Sequence, residues 1–350
     1  MKRIFTILLL ITAVFIIQVF AQNGAKVFRG ELGGQSIQMT LNREGKKLNG
    51  TYFYQKIKKD LRLEGTIDEA GNFTLTEFAP NGAKTGEFTG KWDNPATEDG
   101  ASLTGNWINP KNKEESYFTA QEQFVEFTGN QKIETKSFAE KNKARMFEIT
   151  AEYPMLSGGN ALIAAKFNKF VEAEVMKTVN SFRKDMMTMT AADLKFAKQN
   201  GMSNYLELDY VLESANDRVI SIGFYYSTFE GGAHPNHFSS AVNFDLKTGT
   251  VVALKDLFRP NANYLKTISA LCIEKLKEDD SEGFDDEWLK TGAGPKAENF
   301  SSWNIKKKGI LITFDPYQVA SYAAGPKEVL LTYDELKSIL KKDSVIEGMK

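Results

Sequence analysis

The sequence predicts an all-β N-terminal domain, an antiparallel meander or small barrel, followed by an α+β domain with an antiparallel sheet and packed helices. Up to about residue 121, short stretches of alternating apolar and polar residues, such as 36–41, stand between turn residues, which is typical of half-buried strands. After about residue 146, strand patterns alternate with segments of helical periodicity. At 350 residues the chain is long enough for two such domains.

The first 21 residues have the pattern of a secretory signal peptide. Lys2 and Arg3 precede an apolar run that ends in Ala21, a small residue suited to cleavage. The alternative is an uncleaved transmembrane anchor, because the run approaches the roughly 20 residues that span a bilayer. No later segment of the sequence approaches that length. We therefore expect a secreted or periplasmic protein, with no membrane span after cleavage.

Charge and cysteine content argue against two classes of function. Lys and Arg number 44 against 45 Asp and Glu, with no long basic tract, so we expect no nucleic-acid partner. Cys272 is the one cysteine of the sequence, so no intramolecular disulfide can form. It falls in the apolar rhythm of a predicted helix at 261–278, which favours a buried structural thiol over a nucleophile. No cofactor is expected.

The predicted N-terminal domain covers residues 24–121 and contains a weak internal repeat. Gly90 is followed two residues later by Trp92, and Gly105 is followed by Trp107 in the same way. Glycine within a strand permits the sharp bend of a coiled meander, so we predict roughly six to eight strands. The two tryptophans are interpreted as interior packing, with a stacking platform for a sugar or another ligand as the alternative.

Residues 122–145 are polar and charged and are predicted to be a linker. The second domain then covers 146–342, and 343–350 form a tail. The predicted elements of the second domain are a strand at 146–153 ended by Pro154, a long amphipathic helix at 160–182, a short helix at 193–200, a hairpin at 205–229, strands at 239–246 and 250–254, a helix at 261–278, strands at 310–314 and 328–333, and a final helix at 334–340.

Several motifs of the second domain occur in a known order. They are Gly-Gly-Ala-His-Pro-Asn at 231–236, Asn-Phe-Asp at 243–245, Leu-Lys-Asp-Leu-Phe at 254–258, and the segment 314–325. With these motifs, residues 146–342 resemble the noncatalytic domains of the PdaC/RsiV-like extracytoplasmic family, found in peptidoglycan deacetylases and lysozyme-sensing anti-sigma factors. The resemblance implies a module that binds peptidoglycan or a peptidoglycan-acting protein such as lysozyme. It does not include the N-terminal domain.

The histidine content argues against a deacetylase centre of that family. Such a centre needs an aspartate and two histidines for its metal, besides acid and base groups. The sequence has His234 and His237 as its two histidines, and these cannot supply that set and a catalytic histidine as well. We therefore predict a noncatalytic binding module. The alternative is a glycan-acting hydrolase or deacetylase-related enzyme in which Glu230 and His234 do acid–base work.

The predicted binding site centres on the loop at 230–237. Two glycines permit positive φ angles there, and a proline stiffens the loop for display to a partner. The residues predicted to bind are Tyr226, Glu230, Gly231, Gly232, His234, Pro235, Asn236 and Tyr317. A metal-binding envelope protein is a further alternative, because His234 and His237 could coordinate zinc or copper, although two firm ligands are fewer than a stable site needs.

Tyrosines are further candidates to line a groove for glycan or protein, since each offers a flat apolar face with a polar tip. Tyr225, Tyr226, Tyr317 and Tyr322 lie in or near the motifs above. At least two of them are expected to pack in the core instead, because alternation along a strand buries one face.

Overall fold

The computed structural model describes residues 25–93, 100–278 and 285–347. The predicted signal peptide at 1–21 lies outside these residues. Within the described ranges, no helix has the length and apolar character needed to cross a bilayer. The first eight strands are β1 (Lys26–Leu32), β2 (Gln35–Glu44), β3 (Lys47–Tyr54), β4 (Leu61–Ile67), β5 (Asn72–Phe78), β6 (Lys84–Asp93), β7 (Ser102–Ile108) and β8 (Glu115–Gln123).

These eight antiparallel strands form a closed barrel in which β1 pairs with β8. The predicted all-β N-terminal domain is confirmed as a small barrel. Side chains fill its interior, where Trp92 is 1% exposed and packs edge-on against Phe28 at 5.2 Å between ring centroids. Gly90 pairs with Gly105 across β6 and β7, and a Cβ on Gly90 would lie 2.2 Å from the Thr104 carbonyl oxygen. Glycine therefore permits the close strand approach at this bend.

The second part of the chain is an α+β structure, as predicted. Its elements are β9 (Val125–Glu126), β10 (Lys132–Asn142), β11 (Phe147–Ser157), α1 (Ala161–Thr188), α2 (Ala191–Gln199), β12 (Asn204–Asn216), β13 (Val219–Phe229), β14 (Asn236–Asp245), β15 (Thr250–Val251), α3 (Tyr264–Glu278), α4 (Asp286–Gly292), β16 (Trp303–Ile305), β17 (Gly309–Phe314), β18 (Lys327–Thr332) and α5 (Tyr333–Leu336).

The large sheet has the strand order β10-β11-β12-β13-β14-β15, and it is mixed rather than wholly antiparallel. β11 and β12 are parallel because α1 and α2 connect the end of one strand to the start of the other. The predicted connection at 122–145 is also corrected. β10 occupies 11 of its residues and pairs with β11 along its whole length, and it has the polar composition of an edge strand.

Two further predictions about element ends are corrected. β11 continues through Pro154 to Ser157. Its pairing with β12 ends at Ala151, so the missing proline N–H falls where one side of the strand is unpaired. The predicted tail at 343–350 is not a free tail over its described part, because Val345 and Ile346 are buried in the C-terminal core.

α1 covers one face of the large sheet, and the opposite face carries polar side chains. Asn160 caps the helix by accepting from the backbone N–H groups of Leu162 and Ile163. Phe167 and Val171 of the helix pack against apolar side chains of β11, β12 and β13. Along β12 the residues alternate, so Glu207 and Asp209 point away from the helix and are exposed.

The C-terminal part packs on one end of this polar face. Its sheet has the order β16-β17-β18, and the Ile305 N–H donates to Ser221 Oγ on β13 and to Asn243 Oδ1 on β14, each at 3.0 Å. Cys272 of α3 is fully buried in the surrounding core. Burial raises the pKa of the Cys272 thiol to about 12, which agrees with the predicted structural thiol.

The barrel is joined to the large sheet by backbone and side-chain contacts. The Phe124 N–H donates to the Leu212 carbonyl oxygen at 3.0 Å, and the Leu212 N–H donates to Gln123 Oε1 at 2.8 Å. Arg29 of β1 reaches the point where β11 and β12 separate, and its guanidinium pairs with Glu152 and Asp209. The barrel therefore forms a wall beside the polar face of the sheet.

Candidate functional site

The loop predicted as the binding site connects β13 to β14 at the surface. Gly231 and Gly232 have φ angles of 94° and 112°, a region that disfavours residues with a Cβ. A side chain built on either glycine would meet no atom within 4 Å. The tip of the loop therefore stands free of the rest of the described protein.

His234 is held by a tyrosine from a distant part of the sequence. Its ring stacks on Tyr322 with 4.0 Å between centroids and an angle of 26°. The Pro235 carbonyl oxygen accepts from His234 Nδ1 at 2.8 Å and from Tyr322 Oη at 2.7 Å. Tyr317 adds a third ring, whose centroid lies 5.5 Å from that of Tyr322. We call His234, Tyr317 and Tyr322 the aromatic platform.

Tyr317 has an unusual backbone conformation that is fixed by its neighbours. Its φ angle is 70°, a left-handed conformation that costs a non-glycine residue about 1–3 kcal/mol. Trp288 Nε1 donates to the Tyr317 carbonyl oxygen at 2.8 Å. Gln318 Nε2 donates to the carbonyl oxygens of Gly292 and Asn299, each at 3.0 Å. These bonds hold the Tyr317 side chain at the surface, where it is 56% exposed.

Asp315 anchors this segment to β14 beside the loop. Its Oδ1 accepts from Ser239 N at 2.8 Å and from Ser239 Oγ at 2.7 Å. Burial raises the pKa of the Asp315 carboxyl, and the two bonds from Ser239 only partly oppose that effect. The anchor therefore carries a pH-dependent contribution to stability.

We predict that lowering the pH raises the free energy of unfolding of the wild type relative to that of the variant Asp315→Asn. A raised pKa in the folded state means that the contribution of Asp315 is fully present below its ordinary pKa of 3.8 and is lost as pH rises through the raised value. The difference in free energy of unfolding, wild type minus variant, should thus be larger at pH 4 than at pH 7. Urea denaturation at both pH values measures it, and a difference independent of pH would contradict the prediction.

Two predicted binding residues form no hydrogen bond or ring contact with the platform among the described residues. Tyr226 is buried toward the helix, where its hydroxyl bonds Ser240 at 2.9 Å and its ring stacks on Phe238. The pKa of Glu230 is raised by burial and by the nearby Asp185. No hydrogen bond or salt bridge joins Glu230 to His234 among the described residues. An assembled acid–base pair is therefore not present at this loop.

The metal hypothesis receives no geometric support within the described residues. Across 25–93, 100–278 and 285–347, no three His, Cys, Asp or Glu side chains are grouped to hold an ion. His237 lies near the platform, with its ring centroid 6.2 Å from that of Tyr322. Asn236 begins β14 and is exposed, so its side chain remains accessible beside the loop.

A second feature was not predicted from the sequence. A cleft of about 800 Å³ lies between the barrel and the polar face of the large sheet. We call it the interdomain cleft. Its polar lining includes Glu31, Gln35, Ser36, Tyr54, Gln55, Lys56, Ser137, Thr150, Glu152, Glu207, Asp209, Tyr225, Ser227 and His237. His237 lines the cleft and also lies near Tyr322, so the cleft and the aromatic platform are adjacent.

Two segments of the chain that contribute to this surface are similar to known protein families. Residues 140–237 match the family described as "Deacetylase PdaC". Residues 255–334 match the family described as "Protein of unknown function (DUF3298)". We call these two matched stretches the PdaC-type segment and the DUF3298 segment. The PdaC-type segment supplies His234, whereas the DUF3298 segment supplies Tyr317 and Tyr322, so the platform forms only where the two meet.

Individual proteins are also similar to parts of this chain. The peptidoglycan-N-acetylmuramic acid deacetylase PdaC of Bacillus subtilis (strain 168) is 28% identical over 204 residues, which are 58% of this chain and 41% of that protein. The match thus spans less than half of the relative. A DUF3298 family member from Bacteroides fragilis has 20% identity and a TM-score of 0.46, covering 64% of this chain and 99% of its own. A DUF3298 family protein from Pseudomonas aeruginosa PAO1 has 15% identity and a TM-score of 0.40, and the match covers 60% of this chain and 95% of that chain.

These matches confirm the PdaC part of the resemblance found in the sequence. The PdaC-type segment begins within β10, which agrees with the inclusion of that strand in the large sheet. Neither family match includes the barrel.

Proposed function

We propose that this protein is an exported, noncatalytic cell-envelope module that binds peptidoglycan through the aromatic platform. The observation that carries the proposal is the stack of His234 on Tyr322 beside the exposed Tyr317. Aromatic faces next to polar groups are suited to sugar rings, which present apolar C–H faces and hydroxyl edges. The exported location rests on the signal-peptide pattern of residues 1–21.

The relatives support peptidoglycan as the ligand. The protein that is 28% identical to this chain is named as an enzyme acting on N-acetylmuramic acid of peptidoglycan. A noncatalytic role is supported by the loop geometry, since Nδ1 of His234 is engaged by the Pro235 carbonyl oxygen and its ring by Tyr322. We assign His234 to display and stacking rather than to proton transfer.

Replacing Tyr322 by alanine is expected to weaken binding to peptidoglycan about tenfold, since loss of an aromatic stacking contact costs on the order of 1.4 kcal/mol. The change removes the ring under His234 and the bond to the Pro235 carbonyl oxygen. Co-sedimentation of the mature protein with purified peptidoglycan measures the effect. Tyr117→Ala, which removes a tyrosine that is 61% exposed on the barrel, is the matched control and should bind like the wild type.

Unchanged sedimentation of Tyr322→Ala would contradict the assignment of the platform. Absence of wild-type binding together with release of acetate or reducing ends from peptidoglycan would instead support the enzyme alternative with Glu230 and His234. Metal content after purification without a histidine tag tests the alternative in which His234 and His237 bind zinc or copper.

A peptidoglycan-acting protein such as lysozyme is the second candidate partner. The free loop tip at Gly231 and Gly232 favours it, because a protruding loop can enter a concave surface such as an enzyme cleft. Retention of the protein on immobilised lysozyme tests this candidate. Retention on lysozyme with no sedimentation on peptidoglycan would replace the first proposal by the second.

A further inference from the structure

The interdomain cleft has a preformed polar floor. Thr150, Glu207 and Ser227 lie on three neighbouring strands of the large sheet and line the cleft. Glu31 and Tyr54, from the barrel, line the opposite side. The α1 helix covers the other face of the sheet, so these side chains are open to a ligand.

Arg29 of the barrel fixes the position of the large sheet relative to the barrel. Its side chain is 3% exposed and pairs with Glu152 and Asp209, and it also donates to the Tyr210 carbonyl oxygen at 2.9 Å. The guanidinium carbon lies 4.1 Å from the centroid of the Tyr210 ring. Arg29 Nε is buried without a hydrogen-bond partner among the described residues. The contacts of Arg29 with β11 and β12 therefore hold the barrel beside the sheet next to the cleft.

The charge of the cleft is unbalanced. Among the residues that the structure describes, four carboxylates line it, those of Glu31, Glu152, Glu207 and Asp209, whereas Lys56 is the one lining Lys or Arg. Arg29 offsets part of the charge of Glu152 and Asp209. Glu31 and Glu207 form no salt bridge within the described part of the chain. A bound cation would relieve this repulsion.

Burial and the neighbouring carboxylates both act on the carboxyl of Glu31. Burial raises its pKa first, and Asp209, Glu207 and Glu152 raise it further. Arg29 opposes these effects without cancelling them. This surface therefore favours positively charged groups and disfavours an anionic polymer segment.

We infer that the interdomain cleft binds glycan whose amino sugars carry free amino groups, that is, de-N-acetylated oligosaccharide. A protonated sugar amine can pair with Glu31 and Glu207, while the hydroxyls of Thr150 and Ser227 bond sugar hydroxyls. A volume of about 800 Å³ suits an oligosaccharide segment. Because His237 connects the cleft to the platform, one chain could occupy both. This inference rests on the proposed binding of peptidoglycan glycan and names the form of glycan preferred.

Titration calorimetry with two soluble oligosaccharides tests the inference. The full mature protein at about pH 6 is titrated with the tetramer of glucosamine and, separately, with the tetramer of N-acetylglucosamine. We expect the amine form to bind at least about tenfold more tightly, which corresponds to roughly 1.4 kcal/mol. The double variant Glu31→Gln with Glu207→Gln should remove this preference, so that the two tetramers bind with similar affinity.

The matched control is Glu69→Gln, whose carboxylate lies 89% exposed in the turn between β4 and β5, away from the residues that line the cleft. It should bind both tetramers like the wild type. Folding of the double variant is checked by its thermal unfolding, and it is expected to be retained because neither glutamate forms a salt bridge in the described structure. Urea denaturation provides a second check on folding.

Equal affinity for the two tetramers, or an amine preference that survives the double variant, would overturn the inference. If peptidoglycan is still bound through Tyr322 in that case, the proposed function stands and only the assignment of the cleft fails. If neither tetramer binds but lysozyme is retained in a manner that requires Glu31 and Glu207, the cleft serves a cationic protein and the inference is also overturned.

Discussion

Replacing Arg29 by methionine is expected to lower the free energy of unfolding by about 3 kcal/mol, because it removes a buried cation from two carboxylates. The guanidinium is 3% exposed and contacts Glu152, Asp209 and the Tyr210 carbonyl oxygen. The expected loss lies at the low end for buried pairs, since Asp209 is 55% exposed and regains solvation when its partner is removed. Urea denaturation followed by tryptophan fluorescence and by circular dichroism measures it.

The same substitution should weaken the coupling of the barrel to the large sheet. Arg29 is on the barrel, whereas all three groups it contacts are on β11 and β12. We expect the two spectroscopic transitions to coincide in the wild type and to separate in the variant. Arg62→Met is the matched control, because Arg62 also pairs with a glutamate but is half exposed on the barrel. That change should cost less than about 1 kcal/mol. Equal losses for the two variants would contradict the structural role of Arg29.

Replacing Glu77 by alanine is expected to destabilise the barrel by about 3–5 kcal/mol. Glu77 is 3% exposed, and its Oε2 accepts from Tyr52 Oη at 2.6 Å and from Trp107 Nε1 at 2.8 Å. The substitution leaves both donors without their acceptor and also opens a cavity. Urea denaturation at pH 7 gives the loss. Thr74→Ala, on the outward face of the same strand, should change stability by no more than about 0.5 kcal/mol.

A double-mutant cycle separates the effect of the lost acceptor from the effect of the cavity. Tyr52→Phe removes one of the two donors to Glu77, so Glu77→Ala should cost less in the Tyr52→Phe background than in the wild type. The expected coupling is about 1 kcal/mol or more, since one unsatisfied buried group is avoided. Strictly additive losses would show that the cavity alone, and not the lost acceptor, causes the destabilisation.

The elements with strong local signals were predicted well. The alternation along β2 and the helical periodicity of α1 depend on which residues are apolar, and both elements occur where the sequence placed them. β10 was missed because an edge strand has one covered side and can be polar elsewhere, which gives it the composition of a linker. Pro154 was predicted to end a strand because the sequence alone does not show that β11 is no longer paired with β12 at that residue.

The candidate site likewise contains residues that local sequence signals predicted and contacts that they did not. The loop with Gly231, Gly232 and His234 was recognised from its residue types, because positive φ angles and an exposed imidazole leave a local signature. Tyr322 was a candidate only as one of four tyrosines, and its contact with His234 joins residues 88 positions apart. Tyr226 was predicted at the site, but strand alternation directs its side chain to the covered face of the sheet.

Taken alone, the amino-acid order predicted the two fold classes, the glycine-dependent loop and the resemblance of the second part of the chain to PdaC, because each of these depends on neighbouring residues or on short motifs within one segment. Only the tertiary structure decided that β1 carries Arg29 to the gap between β11 and β12, and that a cleft with excess negative charge lies between the barrel and the sheet. The reason is physical: a carboxylate's environment depends on charges brought close by folding, and sequence separation says nothing about that distance.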